Sequence, residues 1–161
     1  MDLSKKSVKA DTRITINSML IGVAATVLFI IIAINPKMLA GNFWLSLQLV
    51  LVIPFLITSS LSYSKLAYKK EHKIWNTYAW ICFVIGYCFM INVIAILVSA
   101  IGLIAIGISL IAVNLALTYL YAFLDYKYGE GSILEEVSKY TLFTILNIFL
   151  GLLVILKYYI L

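Results

Sequence analysis

The chain has 161 residues, 64% of them hydrophobic, with 12 Lys+Arg against 7 Asp+Glu and a mean hydropathy of +1.08. A soluble domain is about 45–50% apolar, and this sequence has too little polar surface to cover a core of its own making, which excludes an ordinary water-soluble fold. Five apolar stretches with short connectors leave no room for a separate soluble catalytic domain of at least about 50 residues, and the net charge of +5 lies at stretch boundaries, in no basic patch that would read nucleic acid.

The stretches run over about 14–34, 43–63, 76–98, 102–124 and 138–160, and none is charged in its middle third. Each has the length a helix needs to cross about 30 Å of hydrocarbon. The expected fold is an all-α polytopic integral membrane protein, a helical bundle of five transmembrane helices in one domain (14–161) behind a cytoplasmic N-terminal tail (1–13).

In chain order, the tail carries Lys5, Lys6 and Lys9, and Asp11 reads as an N-cap for span one. The first apolar stretch is too long for the h-region of a cleaved signal peptide, and no small-residue cleavage site follows it. Asn35-Pro36 ends the span, since the residue before proline avoids the α region. Span two opens on the interfacial pair Phe43-Trp44 and holds Pro54 near its middle. Its ring removes one N–H and crowds the carbonyl of Val50, so Pro54 is a candidate helix kink. Thr58, Ser59, Ser60 and Ser62 are candidates to re-satisfy the backbone there.

The connector from Ser64 to Ile74 is the most basic. From Ile81 to Leu124 no residue carries a formal charge. That length fits two helices joined by a tight turn at Ser99-Ala100-Ile101-Gly102, with Gly102 free to take positive φ; the alternative is four full spans plus a re-entrant hairpin. The last connector is acidic, with Asp125, Glu130, Glu135 and Glu136. Ser132 and Glu135 form a candidate capping box at the start of helix five.

Lys and Arg near span ends set orientation. With five spans, ten of them fall on one side and only Lys37 and Lys157 on the other. The expectation is a multi-pass protein of the cell membrane, N-terminus cytoplasmic and C-terminus outside.

Few residues carry chemistry. The span centres hold no ionisable group, which speaks against proton relays and coupled transport. Cys82 and Cys88 are six residues apart on one helix, about 9 Å, too far for a disulfide and not a metal spacing. His72 is the only histidine and stands in a lysine-rich connector. No cofactor, metal or catalytic residue is expected.

The amides Gln48, Asn92, Asn114 and Asn147 read as interhelical hydrogen-bond contacts, or else as the lining of a pathway. Small residues recur at helical spacing: Ser18, Gly22 and Thr26; Ala105, Ser109, Ala112 and Ala116; Thr144, Asn147 and Gly151. Such stripes let helix backbones approach in lipid. The leading expectation is therefore a non-catalytic component that packs with itself or a membrane partner in the lipid bilayer. The alternatives are a channel or facilitator lined by the four amides, and an interfacial lipid-modifying enzyme using His72 and the carboxylates.

Overall fold

The computed structural model describes residues 3–66, 72–128 and 133–161, and among these there is no strand. Helices α1 (Leu3–Ile34), α2 (Pro36–Gly41), α3 (Phe43–Leu66), α4 (His72–Ala100) and α5 (Ile104–Tyr128) follow in order, then α6 (Ile133–Asn147), a π-helical turn (Ile148–Leu152) and α7 (Leu153–Tyr159). The protein is an all-α helical bundle. Among the described residues five segments are long and apolar enough to span a membrane: Ala10–Ile34, Phe43–Leu66, Ile74–Ala100, Ile104–Leu124 and Tyr140–Tyr159. The fifth is built from α6, the π turn and α7.

The chain divides into two compact units, Met1–Met90 and Ile91–Leu161. In the first, α1 and α3 run antiparallel. From Ala10 onward the buried positions of α1 are Ala10, Asn17, Ala24 and Ile31, one per seven residues. Those of α3 include Leu45, Leu49, Val52, Leu56, Ser59 and Tyr63, alternating by four and three. A 3.5-residue repeat of this kind keeps one face of a helix turned to its neighbours. The first part of α4 joins α3, with Phe55 and Phe89 edge to face at 5.8 Å.

The connector after α1 is not irregular. Asn35 closes α1 through its N–H to the Ile31 carbonyl, 2.9 Å, and Pro36 opens α2, where a missing N–H costs nothing. Asn42 then caps α3: its Oδ1 accepts the Leu45 N–H at 3.0 Å. The Ser46 hydroxyl reaches back to the Leu39 carbonyl. Asp11 is no N-cap, because α1 already runs through it from Leu3; its carbonyl instead accepts the Thr15 hydroxyl at 2.9 Å. Helix α3 continues through Pro54. The serines below it go elsewhere than Val50: Ser59 to the Ala79 carbonyl at 2.8 Å, Ser60 to Leu56 at 3.0 Å, Ser62 to Thr58 at 2.8 Å.

In the second unit, the end of α4 and α5 form an antiparallel hairpin. Gly102 has φ +91°. Its N–H donates to the Ser99 carbonyl at 3.0 Å and that of Leu103 to Val98 at 3.2 Å. These are the two bonds of a Schellman turn, with glycine where the left-handed residue must stand. The hairpin expected from the uncharged run is present. The proposed cap pair lies elsewhere: Ser132 is outside the described residues, and the structure describes no side chain at Glu135.

Candidate functional site

The polar residues fall into two clusters, one per unit. In the first unit, Asn17 is fully buried on the α1–α3 seam. Its Nδ2 donates to Ser60 Oγ at 3.1 Å and, more distantly, to the Leu56 carbonyl at 3.5 Å. Ser60 spends its own proton on the Leu56 carbonyl, so its oxygen is free to accept, and this fixes which way the amide points. Asn17 Oδ1 is buried with no partner among the described residues.

One turn earlier on α1, Arg13 Nη1 donates to Tyr63 Oη at 2.9 Å and to Asn76 Oδ1 at 3.3 Å. The guanidinium carbon lies 4.8 Å from the Tyr63 ring centre. Lys65 Nζ stands 4.3 Å from the centre of the Trp75 ring. Three helices thus converge on a cation at one end of the unit. Tyr63 is only 1% exposed. Gln48, at the other end of α3, is also buried and donates to the Trp44 carbonyl of its own helix at 3.1 Å.

In the second unit, Asn92 of α4 is fully buried and donates to the Leu146 carbonyl at 3.2 Å. That carbonyl lies just before the π turn, a segment where one extra residue loosens the α-helical ladder. Gly151, inside the turn, gives Asn92 its place. A methyl there would run into Asn92 Oδ1 and stand 2.9 Å from Ile111 Cδ1. Asn147, beside it, is buried and donates to the Phe143 carbonyl at 2.9 Å. The structure therefore brings Asn92 to the Asn147–Gly151 stretch. Asn114 is half-buried, and its carbonyl accepts the Thr118 hydroxyl at 2.8 Å. Tyr119 and Thr144 join α5 to α6 through their hydroxyls at 2.6 Å.

The small-residue stripes divide. Thr144, Asn147 and Gly151 lie in packed surroundings. Ala105, Ser109, Ala112 and Ala116 are all exposed; the close approach of α5 to α4 runs through Gly107, where a methyl would stand 2.5 Å from the Ala95 carbonyl oxygen. In span one, the Ser18 and Thr26 hydroxyls return to carbonyls four residues back, 2.9 Å each, and nothing lies within 4 Å of a methyl at Gly22. Cys82 and Cys88 are buried and form no disulfide. Among the described residues no three His, Cys, Asp or Glu side chains group to hold a metal. The side chains of His72, Glu135 and Glu136 are not described.

Sequence reasoning passed over Asn17, Arg13 and Asn42. For Asn17 the signal was available in the seven-residue spacing Ala10, Asn17, Ala24, Ile31. For Arg13 it was not: a charge beside a span reads as a topology signal, and its partners are 50 and 63 positions away. Comparison with known proteins adds no identity: no family model matches the chain, and no match emerges among curated proteins or solved structures.

Proposed function

We propose that the chain is a non-catalytic membrane component that packs with a second copy or a membrane-protein partner. The observation that carries this reading is where the buried amides go. Asn17, Gln48, Asn92 and Asn147 all donate to helix carbonyls. Gln48 and Asn147 bond within their own helices, while Asn17 and Asn92 reach a neighbouring helix, a contact worth about 0.6–2 kcal/mol in a bilayer. The exposed small residues of α5 and the open surroundings of Gly22 supply outward faces on which another helix backbone can approach closely.

The test pairs stability with permeability in the purified, reconstituted chain. Asn92→Leu is expected to lower unfolding stability by about 0.6–2 kcal/mol, with solute and ion flux into liposomes equal to that of the parent. A parent flux that disappears in this variant while its stability holds overturns the reading. The surrounding membrane is proposed to be the cell membrane, with the N-terminus cytoplasmic, on the strength of the lysine asymmetry.

A further inference from the structure

Near one end of the first unit stands a cation whose hydrogen-bond partners among the described residues are neutral. Arg13 is half-buried at the end of the apolar span. Among the described residues its two hydrogen bonds leave from Nη1, to a phenol and an amide. Among the described residues Nε and Nη2 meet no acceptor and no carboxylate neutralises the charge. A guanidinium is a fixed planar fork suited to binding two oxygens of one anion. Here the fork is held from behind: the buried Tyr63 offers its hydroxyl and ring face, and Asn76 offers its amide oxygen. Two residues after Tyr63 on the same helix, Lys65 is exposed and lies over the half-buried ring of Trp75, the residue before Asn76.

We propose that Arg13, steadied by Tyr63 and Asn76, and Lys65, steadied by Trp75, bind the phosphates of anionic phospholipid headgroups at this end of the unit. The depth selects the occupant. These residues stand where a spanning helix leaves the hydrocarbon, which is the level of the lipid phosphates, and basic pockets between spanning helices recognise anionic headgroups. A tryptophan at the same level matches the aromatic girdle of a bilayer interface. The inference rests on the chain spanning a bilayer and is independent of the proposed assembly role.

The experiment uses the full chain with Trp44→Phe and Trp80→Phe, so that Trp75 is its only tryptophan. It is reconstituted in phosphatidylcholine vesicles holding an equal mole fraction of brominated phosphatidylglycerol or brominated phosphatidylcholine. The anionic lipid is expected to be enriched about fivefold around Trp75, the ratio one basic side chain gives near an anionic surface, and to quench correspondingly more. Arg13→Gln removes the preference, Arg13→Lys keeps part of it, and Lys37→Gln, outside the cluster, leaves it intact. Lys65 is exposed, so Lys65→Gln is expected to fold and to weaken the preference even where Arg13→Gln fails to fold. Equal quenching by the two lipids, or a preference unchanged in both Arg13→Gln and Lys65→Gln, overturns the proposal. In plain phosphatidylcholine vesicles, an Arg13-dependent change in Trp75 emission on adding inorganic phosphate assigns the site to free phosphate and overturns the lipid.

Discussion

At the scale of single residues, the glycines separate what the chain packs from what it presents. Gly151 is the contact point between the fifth span and Asn92, and any side chain there must displace a buried amide and Ile111. Overpacking of this kind costs about 1–3 kcal/mol. Gly151→Ala is expected to lose that much in a detergent unfolding titration, and Asn92→Ala in the same chain to recover part of it, because the nearest obstructing atoms belong to that side chain. Gly22 has open space around it. Gly22→Ala is expected to leave the monomer's stability unchanged or slightly raised, since alanine is the better helix former. A large loss at Gly22 would mean that its face is closely packed in the tested preparation. The amides teach a related lesson. Gln48, Asn92 and Asn147 stand out in any apolar span, and the structure finds all three buried. Their partners were not legible, because backbone carbonyls carry no sequence signature.

At the scale of elements, the boundaries were legible and the orientations of the faces were not. Span lengths follow from the thickness of hydrocarbon, and Asn35-Pro36 and Gly102 mark breaks for local steric reasons. Which face of each helix turns inward leaves little trace, since a lipid-facing residue is as apolar as a core residue and lipid gives helices no hydrophobic drive to associate. The outward stripe of α5 illustrates this: four small residues at helical spacing promised contact, while the buried side belongs to Gly107 and Ile111. The fifth span shows a subtler case. Four of its buried positions, Phe143, Asn147, Gly151 and Ile155, recur every four residues, with Val154 buried beside the last. In a pure α-helix, with 3.6 residues per turn, that spacing drifts by about 40° at each step. The π turn takes up the drift by holding one residue more. Deleting the exposed Phe149 from it is expected to yield a continuous α-helix with the flanking faces preserved, and hence a folded protein. Deleting the exposed Ile145, outside the turn, rotates the following residues by about 100° and is expected to prevent folding. Helicity and unfolding midpoints of the two deletions decide the matter.

At the scale of the whole molecule, the even count of crossings between the N-terminal tail, the basic 64–74 connector and the acidic 125–139 connector is what gives the proposed orientation its force. With α4 and α5 as separate crossings, the proposed orientation assigns all three segments, and ten of the twelve Lys and Arg residues, to one side. In a chain with Cys82 and Cys88 replaced by serine, a single cysteine at Lys37 is expected to react with an impermeant thiol reagent from outside intact cells, and one at Lys65 only after lysis. The reverse pattern would invert the proposed topology. Global composition made the membrane legible, because it sums over every residue. The convergence of Arg13, Tyr63 and Asn76 was hidden, because it depends on three helices meeting at one level.

The tip between α4 and α5 has a consequence for how such a chain reaches its final state. Leu103 and Gly102 donate back into the preceding helix, and the Leu103 carbonyl accepts the N–H groups of Ile106 and Gly107 at 3.1 Å each. The bend thus settles much of its own backbone demand for water, and it carries no charged side chain across with it. Two helices joined in this way can enter oil together as a closed hairpin. Their apex is then free to settle at whatever depth a thicker or thinner bilayer leaves it.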